Sequence, residues 1–289
     1  MKAPSLLFLF LFIANHGHAQ IASTAGFIPA GNFNVYYQQQ GTGPAVVLLH
    51  AGLQNSTMWE SQITALSKTH RVVAIDLPFH GRTKGIDTTL LASEVVKIVA
   101  DSLGLQKLSL VGLSMGASVA QDFVIAYPGR VNKLVLLASG INGYERHFPI
   151  DSASTVWYIR YAKAMEEKDT VTAAKEFALA WGEGIHHKGE LTKRAAQNVY
   201  RTTLQTLRTK PPGWPKLQMA PPAYEVIGNI RVPTLIIHGD EDLTYIGTAC
   251  WYLEKTIHGA KRVMLKGAAH MLNLEQPDTV NKLLVDFLR

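Results

Sequence analysis

The fold is decided by the stretch KLSLVGLSMG at residues 107–116. Its first half is a short apolar run, which is typical of a strand buried in the centre of a sheet. Residues 117–127 are apolar at helical spacing and end before a Pro-Gly pair. Ser114 therefore lies at a strand-to-helix turn, with Gly112 and Gly116 two residues away on either side. Glycine at both positions removes the Cβ atoms that would clash in so sharp a turn.

The position of Ser114 suits a nucleophile. The turn exposes its hydroxyl at the C-terminal end of the strand and at the start of the next helix. The first backbone N–H groups of a helix have no partner within the helix, and they carry the positive end of its dipole. A negative charge that develops on an oxygen beside Ser114 would therefore be stabilised. Because G-x-S-x-G also occurs by chance, its partners elsewhere in the chain decide the interpretation.

Length and composition are those of a globular protein. The chain has 289 residues, of which 47% are hydrophobic, enough for one large domain with an insertion. Its formal net charge is +6, but Lys and Arg are scattered without long runs. This pattern indicates a solvated surface and argues against a nucleic-acid partner. The single cysteine, Cys250, cannot form an internal disulfide, and its apolar flanks predict a buried core residue.

Residues 1–19 have the organisation of a secretory signal peptide. Lys2 supplies a positive charge, residues 6–14 are continuously apolar, and the small residues before Gln20 fit cleavage there. The apolar run is too short to span a bilayer. We therefore expect an exported chain, periplasmic or secreted, with no stable membrane anchor after cleavage.

Strand-like runs and helical patterns alternate on both sides of the central stretch. The apolar runs typical of buried strands lie at residues 45–49, 71–75, 131–138, 233–237 and 262–265. Their alternation with helices predicts an α/β fold with a mainly parallel central sheet and helices on both faces. Between residues 141 and 224 the strand-like runs disappear, and helical patterns end in a proline-rich connector. We expect a core domain at 20–140 and 225–289, with a helical cap inserted at 141–224.

Two further residues follow predicted strands and form a candidate catalytic set with Ser114. Ligand sites of such a sheet form at the C-terminal ends of its strands. Asp242 follows the run at 233–237, and His270 follows the last strand. In this set His270 accepts the serine proton and returns it to the leaving group, while Asp242 orients the imidazole. Asp240, two residues earlier, is an alternative acid.

Five ordered motifs together resemble the α/β-hydrolase fold family. They are HAG at 50–52, DLPFHGR at 76–82, GLSMG at 112–116, GDED at 239–242 and GAAH at 267–270. The resemblance covers nearly all of 34–140 and 230–289, and it implies a hydrolase with a Ser-His-Asp triad. The family spacing Gly-x-x-Asp favours Asp242 over Asp240, which is then a turn residue.

The resemblance also implies an oxyanion hole made of two backbone N–H groups. One belongs to Met115, directly after the serine. The other belongs to the third residue of the first motif, Gly52, with Leu53 as the alternative. Ala51 and Phe79 stand where the family usually has glycine, and we expect Phe79 to alter loop packing rather than chemistry.

A serine nucleophile predicts acyl chemistry, whereas relatives of this fold that displace at carbon use aspartate. We expect a hydrolase that cleaves a small or medium carboxylic ester or lactone through an acyl-enzyme, with no metal or organic cofactor. The partner is then a small acyl substrate. C–C bond hydrolases and cofactor-free perhydrolases of the fold share the triad and stay as alternatives. A non-catalytic binding protein of the same fold is the alternative from another class.

The remaining histidines and aromatic residues have structural interpretations. The pair at 186–187 lacks a partner at metal-ligand spacing, which predicts a solvated turn. His50 and His238 are expected to be structural, and His80 has no assigned role. The aromatic side chains of the cap either line an apolar pocket over Ser114 or pack the cap helices together; they include Trp157, Tyr158, Tyr161 and Trp181.

Overall fold

A computed structural model describes residues 23–144, 152–209, 215–217 and 219–289. The strands are β1 (Ser23–Ala30), β2 (Phe33–Gln40), β3 (Ala45–Leu49), β4 (Arg71–Ile75), β5 (Lys84–Gly85), β6 (Leu108–Leu113), β7 (Val131–Leu137), β8 (Thr234–Gly239) and β9 (Lys261–Leu265). Within the described residues they form one sheet in the order β1-β2-β4-β3-β6-β7-β8-β9, and β5 pairs with β2.

Helices connect these strands and cover the sheet. They are α1 (Glu60–Leu66), α2 (Ala92–Ser102), α3 (Met115–Ala126), α4 (Ser152–Glu166), α5 (Thr170–Ala178), α6 (Arg194–Thr209), α7 (Ala223–Val226), α8 (Thr244–Thr256), α9 (Leu272–Glu275) and α10 (Pro277–Leu288). A π-helical turn, Leu179–Glu183, follows α5, and 3₁₀ turns lie at Ser56–Trp59, Pro128–Arg130 and Ile227–Asn229.

The neighbouring strands β4, β3, β6, β7, β8 and β9 are parallel, and the pairs β1–β2, β2–β4 and β2–β5 are antiparallel. The central strands β6 and β8 are buried along their whole length, as expected where helices cover both faces. The predicted α/β class with a mainly parallel sheet is confirmed. Sequence patterns did not indicate β1, because Gly26 and Pro29 both disfavour a strand. Proline is tolerated at a sheet edge, and β1 is the edge.

The helices α4, α5 and α6 come between β7 and β8, in the stretch predicted as a cap. An indole hydrogen bond joins two of them, since Trp157 Nε1 donates to the carbonyl oxygen of Glu176 at 2.8 Å. The predicted signal peptide at 1–19 lies outside the described residues, so export stays a prediction. No helix in the described part of the chain is both long and apolar enough to cross a bilayer.

A buried carboxyl group lies near the segment that follows β7 and begins the predicted cap. Asp122 lies on α3 and is only 2% exposed. Its Oδ2 accepts a hydrogen bond from Asn142 Nδ2 at 3.0 Å, and its buried Oδ1 has no partner among the described residues. Burial raises the pKa of Asp122 from 3.8 to about 7, against the opposing effect of the Asn142 hydrogen bond. The folded state therefore favours the protonated carboxyl.

We expect Asp122→Asn to stabilise the protein more at pH 8 than at pH 5. When the pKa of a group is higher in the folded state, the free energy of unfolding falls as the pH rises from the unfolded pKa to the folded pKa. At pH 8 the ionised carboxylate costs up to about 4 kcal/mol, and a neutral amide removes that cost while still accepting from Asn142. Chemical unfolding at the two pH values measures the effect. An equal gain at both would contradict a carboxyl that titrates near neutrality.

Candidate active site

Ser114 sits in strained backbone geometry between β6 and α3. Its φ of 54° and ψ of −114° lie outside the regions that non-glycine residues favour, at a cost of about 1–3 kcal/mol. Hydrogen bonds on both sides hold the residue there. Its N–H donates to the carbonyl oxygen of Leu137 on β7 at 2.9 Å, and its own carbonyl accepts from Ala117 and Ser118. The surrounding structure thus imposes a sharp turn on Ser114.

Close backbone contacts explain the two flanking glycines. A Cβ on Gly116 would overlap the carbonyl oxygen of Leu49 and approach that of His50 to 2.7 Å. A Cβ on Gly112 would lie 2.6 Å from the backbone nitrogen of Ala117. Backbone atoms of a central sheet cannot move aside, so the turn requires glycine at both positions.

Asp242 and His270 form a buried pair at the same edge of the sheet as Ser114. His270 Nδ1 and Asp242 Oδ2 are 2.8 Å apart, and each side chain is 1% exposed. The second oxygen, Asp242 Oδ1, accepts the N–H of Leu243 at 2.7 Å. Since the carboxylate only accepts, Nδ1 carries the proton, and Nε2 is the nitrogen left to act as a base. Both residues come from loops that follow neighbouring strands, β8 and β9.

The hydroxyl of Ser114 and Nε2 of His270 make no hydrogen bond to each other or to another described side chain. Hydrogen bonds between a nucleophile and its base are often long without substrate and tighten when it binds. The structure thus joins the candidate acid and the candidate base directly, and Ser114 lies at the C-terminal end of β6 in the same parallel sheet.

Asp240, the alternative acid, makes a structural hydrogen bond instead. Its Oδ1 accepts the N–H of Gly267 at 2.7 Å, which ties the loop after β8 to the loop after β9. Its carboxylate therefore stabilises a turn, while Asp242 contacts the imidazole.

Two histidines connect the loop after β3 with the loop after β4. His50 Nε2 accepts the N–H of Leu77 at 2.9 Å, and His80 Nε2 accepts the N–H of Leu53 at 2.9 Å. Each Nδ1 faces a carbonyl oxygen and so carries the proton: that of Ala51 for His50, and that of Pro78 for His80. Burial lowers the pKa of His50 to about 4, so this ring is neutral near pH 7.

These hydrogen bonds distinguish between Gly52 and Leu53 as the second candidate oxyanion donor. The N–H of Leu53 is already bonded to His80, whereas the N–H groups of Gly52 and Met115 have no acceptor within the described residues. Phe79 adopts φ of 66° and packs its ring 5.5 Å from that of Phe33. Burial of this ring offsets the strain at a position that suits glycine.

A cap side chain reaches the candidate base. The ring centroids of Trp181 and His270 are 4.3 Å apart. The rings of Trp157 and Phe177 lie 5.1 and 6.1 Å from that of Trp181, so these three side chains pack together, and Trp181 also covers the imidazole. Tyr158, in contrast, is 60% exposed. Sequence patterns placed Trp181 in the cap but carried no signal for its contact with His270.

Cys250 and the other histidines make structural contacts of their own. Cys250 is buried, and burial raises the pKa of its thiol to about 12, which makes it inert. The ring of His238 faces Arg262 at 2.7 Å, and His187 accepts the N–H of Gly189. No three metal-binding side chains cluster within the described ranges. A cleft of about 680 Å³ lies between α1, α6 and α10, and Ser114 is not among its lining residues.

Comparison with known proteins defines the class. A family model described as alpha/beta hydrolase fold matches residues 44–277. The chain therefore belongs to the α/β hydrolase fold family, and it is a hydrolase.

Among its relatives, carboxylesterase YbfK of Bacillus subtilis (strain 168) is 26% identical over 254 residues, which cover 85% of this chain and 80% of that protein. A 2-hydroxy-6-oxononadienedioate/2-hydroxy-6-oxononatrienedioate hydrolase of Burkholderia vietnamiensis is 26% identical over 274 residues, 88% of this chain and 91% of that one. The solved structure of esterase RhEst1 from Rhodococcus sp. ECU1013 superposes with a TM-score of 0.74 at 23% identity. That match covers 93% of this chain and 98% of the esterase.

We expect Gly116→Ala to destabilise the protein by on the order of 3 kcal/mol, because its Cβ meets immovable backbone. Gly129→Ala is the matched control, since a Cβ there has no atom within 4 Å outside its chain neighbours. Urea unfolding of the two variants measures the difference. Equal stability would show that the contact between the turn and the end of β3 is looser than the structure indicates.

Proposed function

We propose that the chain is a serine hydrolase that cleaves a small or medium carboxylic ester or lactone through an acyl-enzyme. One observation carries the proposal: Asp242 and His270 form a buried pair at 2.8 Å, at the sheet edge where Ser114 occupies its strained turn. The similarity to the carboxylesterase YbfK of Bacillus subtilis supports the same chemistry.

The proposed reaction begins when His270 Nε2 takes the Ser114 proton. The oxygen of Ser114 then attacks the acyl carbon, and Asp242 stabilises the imidazolium that forms. Collapse of the tetrahedral intermediate transfers the proton from His270 to the departing alcohol oxygen and leaves the acyl group on Ser114. Water then repeats the sequence, with His270 as its base, and releases the acid.

The N–H groups of Met115 and Gly52 are the proposed donors to the oxyanion. Met115 is the first residue of α3, so its N–H has no helical partner and lies at the positive end of the helix dipole. Gly52 is the better second donor because Leu53 is bonded to His80. Donors held in place before the reaction need no reorganisation as charge develops.

C–C bond cleavage is the second candidate, favoured by the similarity to the hydrolase of Burkholderia vietnamiensis. Both reactions use the same three side chains, but they differ in the leaving group. An ester releases an alkoxide oxygen that His270 protonates directly. C–C cleavage releases a carbanion and needs a substrate whose conjugated carbonyl groups delocalise that charge.

We expect Ser114→Ala to lower ester hydrolysis by on the order of 10⁴-fold or more, because the acyl-enzyme can no longer form. Initial rates on chromogenic esters, lactones and a vinylogous diketone, together with labelling by a fluorophosphonate probe, test this. Ser118→Ala, one helical turn along α3, is the matched control and should keep its rate and its label.

Each outcome has a clear meaning. Retained turnover or labelling in Ser114→Ala would remove the serine from the mechanism. Turnover of the diketone with no ester or lactone activity would transfer the assignment to C–C hydrolysis. Absence of both labelling and turnover in the unmodified protein would overturn the proposed serine mechanism.

We expect Asp242→Asn to reduce kcat far more than Asp240→Asn, since only Asp242 contacts the imidazole. Loss of the carboxylate allows the wrong tautomer of His270 and removes the charge that stabilises its protonated form. Steady-state kinetics on the best ester compares the two isosteric variants. A greater loss in Asp240→Asn would exchange the two roles.

A further inference from the structure

A short segment of the cap rests directly on the loops that carry the candidate acid and base. The N–H of Ile185 donates to the carbonyl oxygen of Glu241 at 3.0 Å. A Cβ on the preceding Gly184 would lie 2.6 Å from that oxygen and 3.0 Å from the Cβ of Ala269. Glu241 directly precedes Asp242, and Ala269 directly precedes His270. The cap backbone therefore contacts both loops beside the reacting groups.

Lys193 links the same two loops through ion pairs. Its Nζ lies 2.9 Å from Glu241 Oε2 and 3.3 Å from Glu275 Oε2. The oxygen of Glu275 that faces Lys193 also accepts the N–H of Ala269 at 3.0 Å. One ammonium group thus contacts the neighbour of Asp242 and, through Glu275, the neighbour of His270.

Lys193 and Glu241 are about one third exposed, but burial of Glu275 makes its ion pair with Lys193 different from a surface ion pair. The Glu275 side chain is 5% exposed, and burial raises its pKa, while the Ala269 N–H and Lys193 oppose that effect. Burial also opposes the charge of Lys193, but the hydrogen bonds and charges of Glu241 and Glu275 outweigh it and raise the pKa of the lysine. Removal of the cation would leave a buried carboxylate without its counter-charge, close to Asp242.

The backbone of Lys193 is fixed within the cap. Its N–H donates to Glu183 Oε1 at 2.6 Å, and Thr192 Oγ1 donates to Glu183 Oε2 at 3.0 Å. Glu183 ends the π-helical turn that also contains Trp181, the residue packed against His270. The aromatic cover and the bridging ammonium therefore belong to one anchored unit.

We propose that Lys193 is a positioning residue, which ties the Asp242 loop and the His270 loop to the docked cap and so holds the acid–base pair in register. The proposal rests on the function proposed above, because it assigns Lys193 to the support of that pair. Lys193 acts through Glu241 and Glu275 and does not itself contact the reacting atoms.

Lys193→Met tests the proposal because it keeps the length of the side chain and removes the charge. We expect kcat on the best ester to fall about 10- to 100-fold with KM within about twofold, since a small displacement of the base is costly. Lys193→Arg should restore most of kcat. Lys188→Met, an exposed lysine of the same cap segment with no ion pair in the described structure, is the control and should behave like the parent.

A second measurement does not depend on turnover. The Nδ1 proton of His270, bonded to Asp242, gives a downfield NMR resonance that His270→Gln identifies by its disappearance. We expect this resonance to broaden or vanish in Lys193→Met and to persist in Lys193→Arg and Lys188→Met. Recording it in a Ser114→Ala background keeps it informative whatever the role of the serine.

The outcomes separate the two proposals. If Ser114→Ala is inactive while Lys193→Met keeps its kcat and the His270 resonance, the positioning role is overturned and the proposed function stands. A lower melting temperature in Lys193→Met with both readouts unchanged makes Lys193 merely structural and also overturns the role. If Ser114→Ala stays active, the proposed function fails, and the resonance alone decides on Lys193.

Discussion

The site depends on one steric constraint, the contact between the turn at Ser114 and the end of strand β3. A Cβ on Gly116 would overlap the carbonyl oxygen of Leu49 and lie 2.7 Å from that of His50, so the turn and the loop after β3 leave no room for a side chain between them. Ser114 and its neighbour Met115 lie on one side of this contact. Gly52 lies on the other, three residues beyond Leu49. The candidate nucleophile and two candidate oxyanion donors thus lie on segments that meet in a backbone approach that only glycine permits.

Much of this could be predicted from the sequence. Apolar runs and the helical patterns between them predict the parallel sheet, because both are local and periodic. The same sheet geometry predicts that the residues after β6, β8 and β9 lie at one edge. The edge strand β1 could not be predicted, because Gly26 and Pro29 carry no strand signal. Its pairing with β2 is decided by the tertiary structure.

The contacts around the candidate base could not be predicted in this way. Trp181 and His270 are 89 positions apart in the sequence, and no periodic pattern links a cap residue to a core loop. Lys193 is one of 28 Lys and Arg residues spread along the chain, so its place between Glu241 and Glu275 is visible only in three dimensions. The choice between Gly52 and Leu53 likewise needed the hydrogen bond from Leu53 to His80. Local patterns predict elements, whereas the partners of a polar group depend on which loops meet.

The inert thiol of Cys250 leaves the protein suited to labelling at one chosen position. Cys250 is the only cysteine of the chain, it is buried, and its raised pKa keeps it in the unreactive thiol form. A cysteine introduced on an exposed cap position can therefore carry a spin label or a fluorophore without removal of a native residue. The unaltered core thus provides a silent background, so that the signal of the label reports on the introduced position alone.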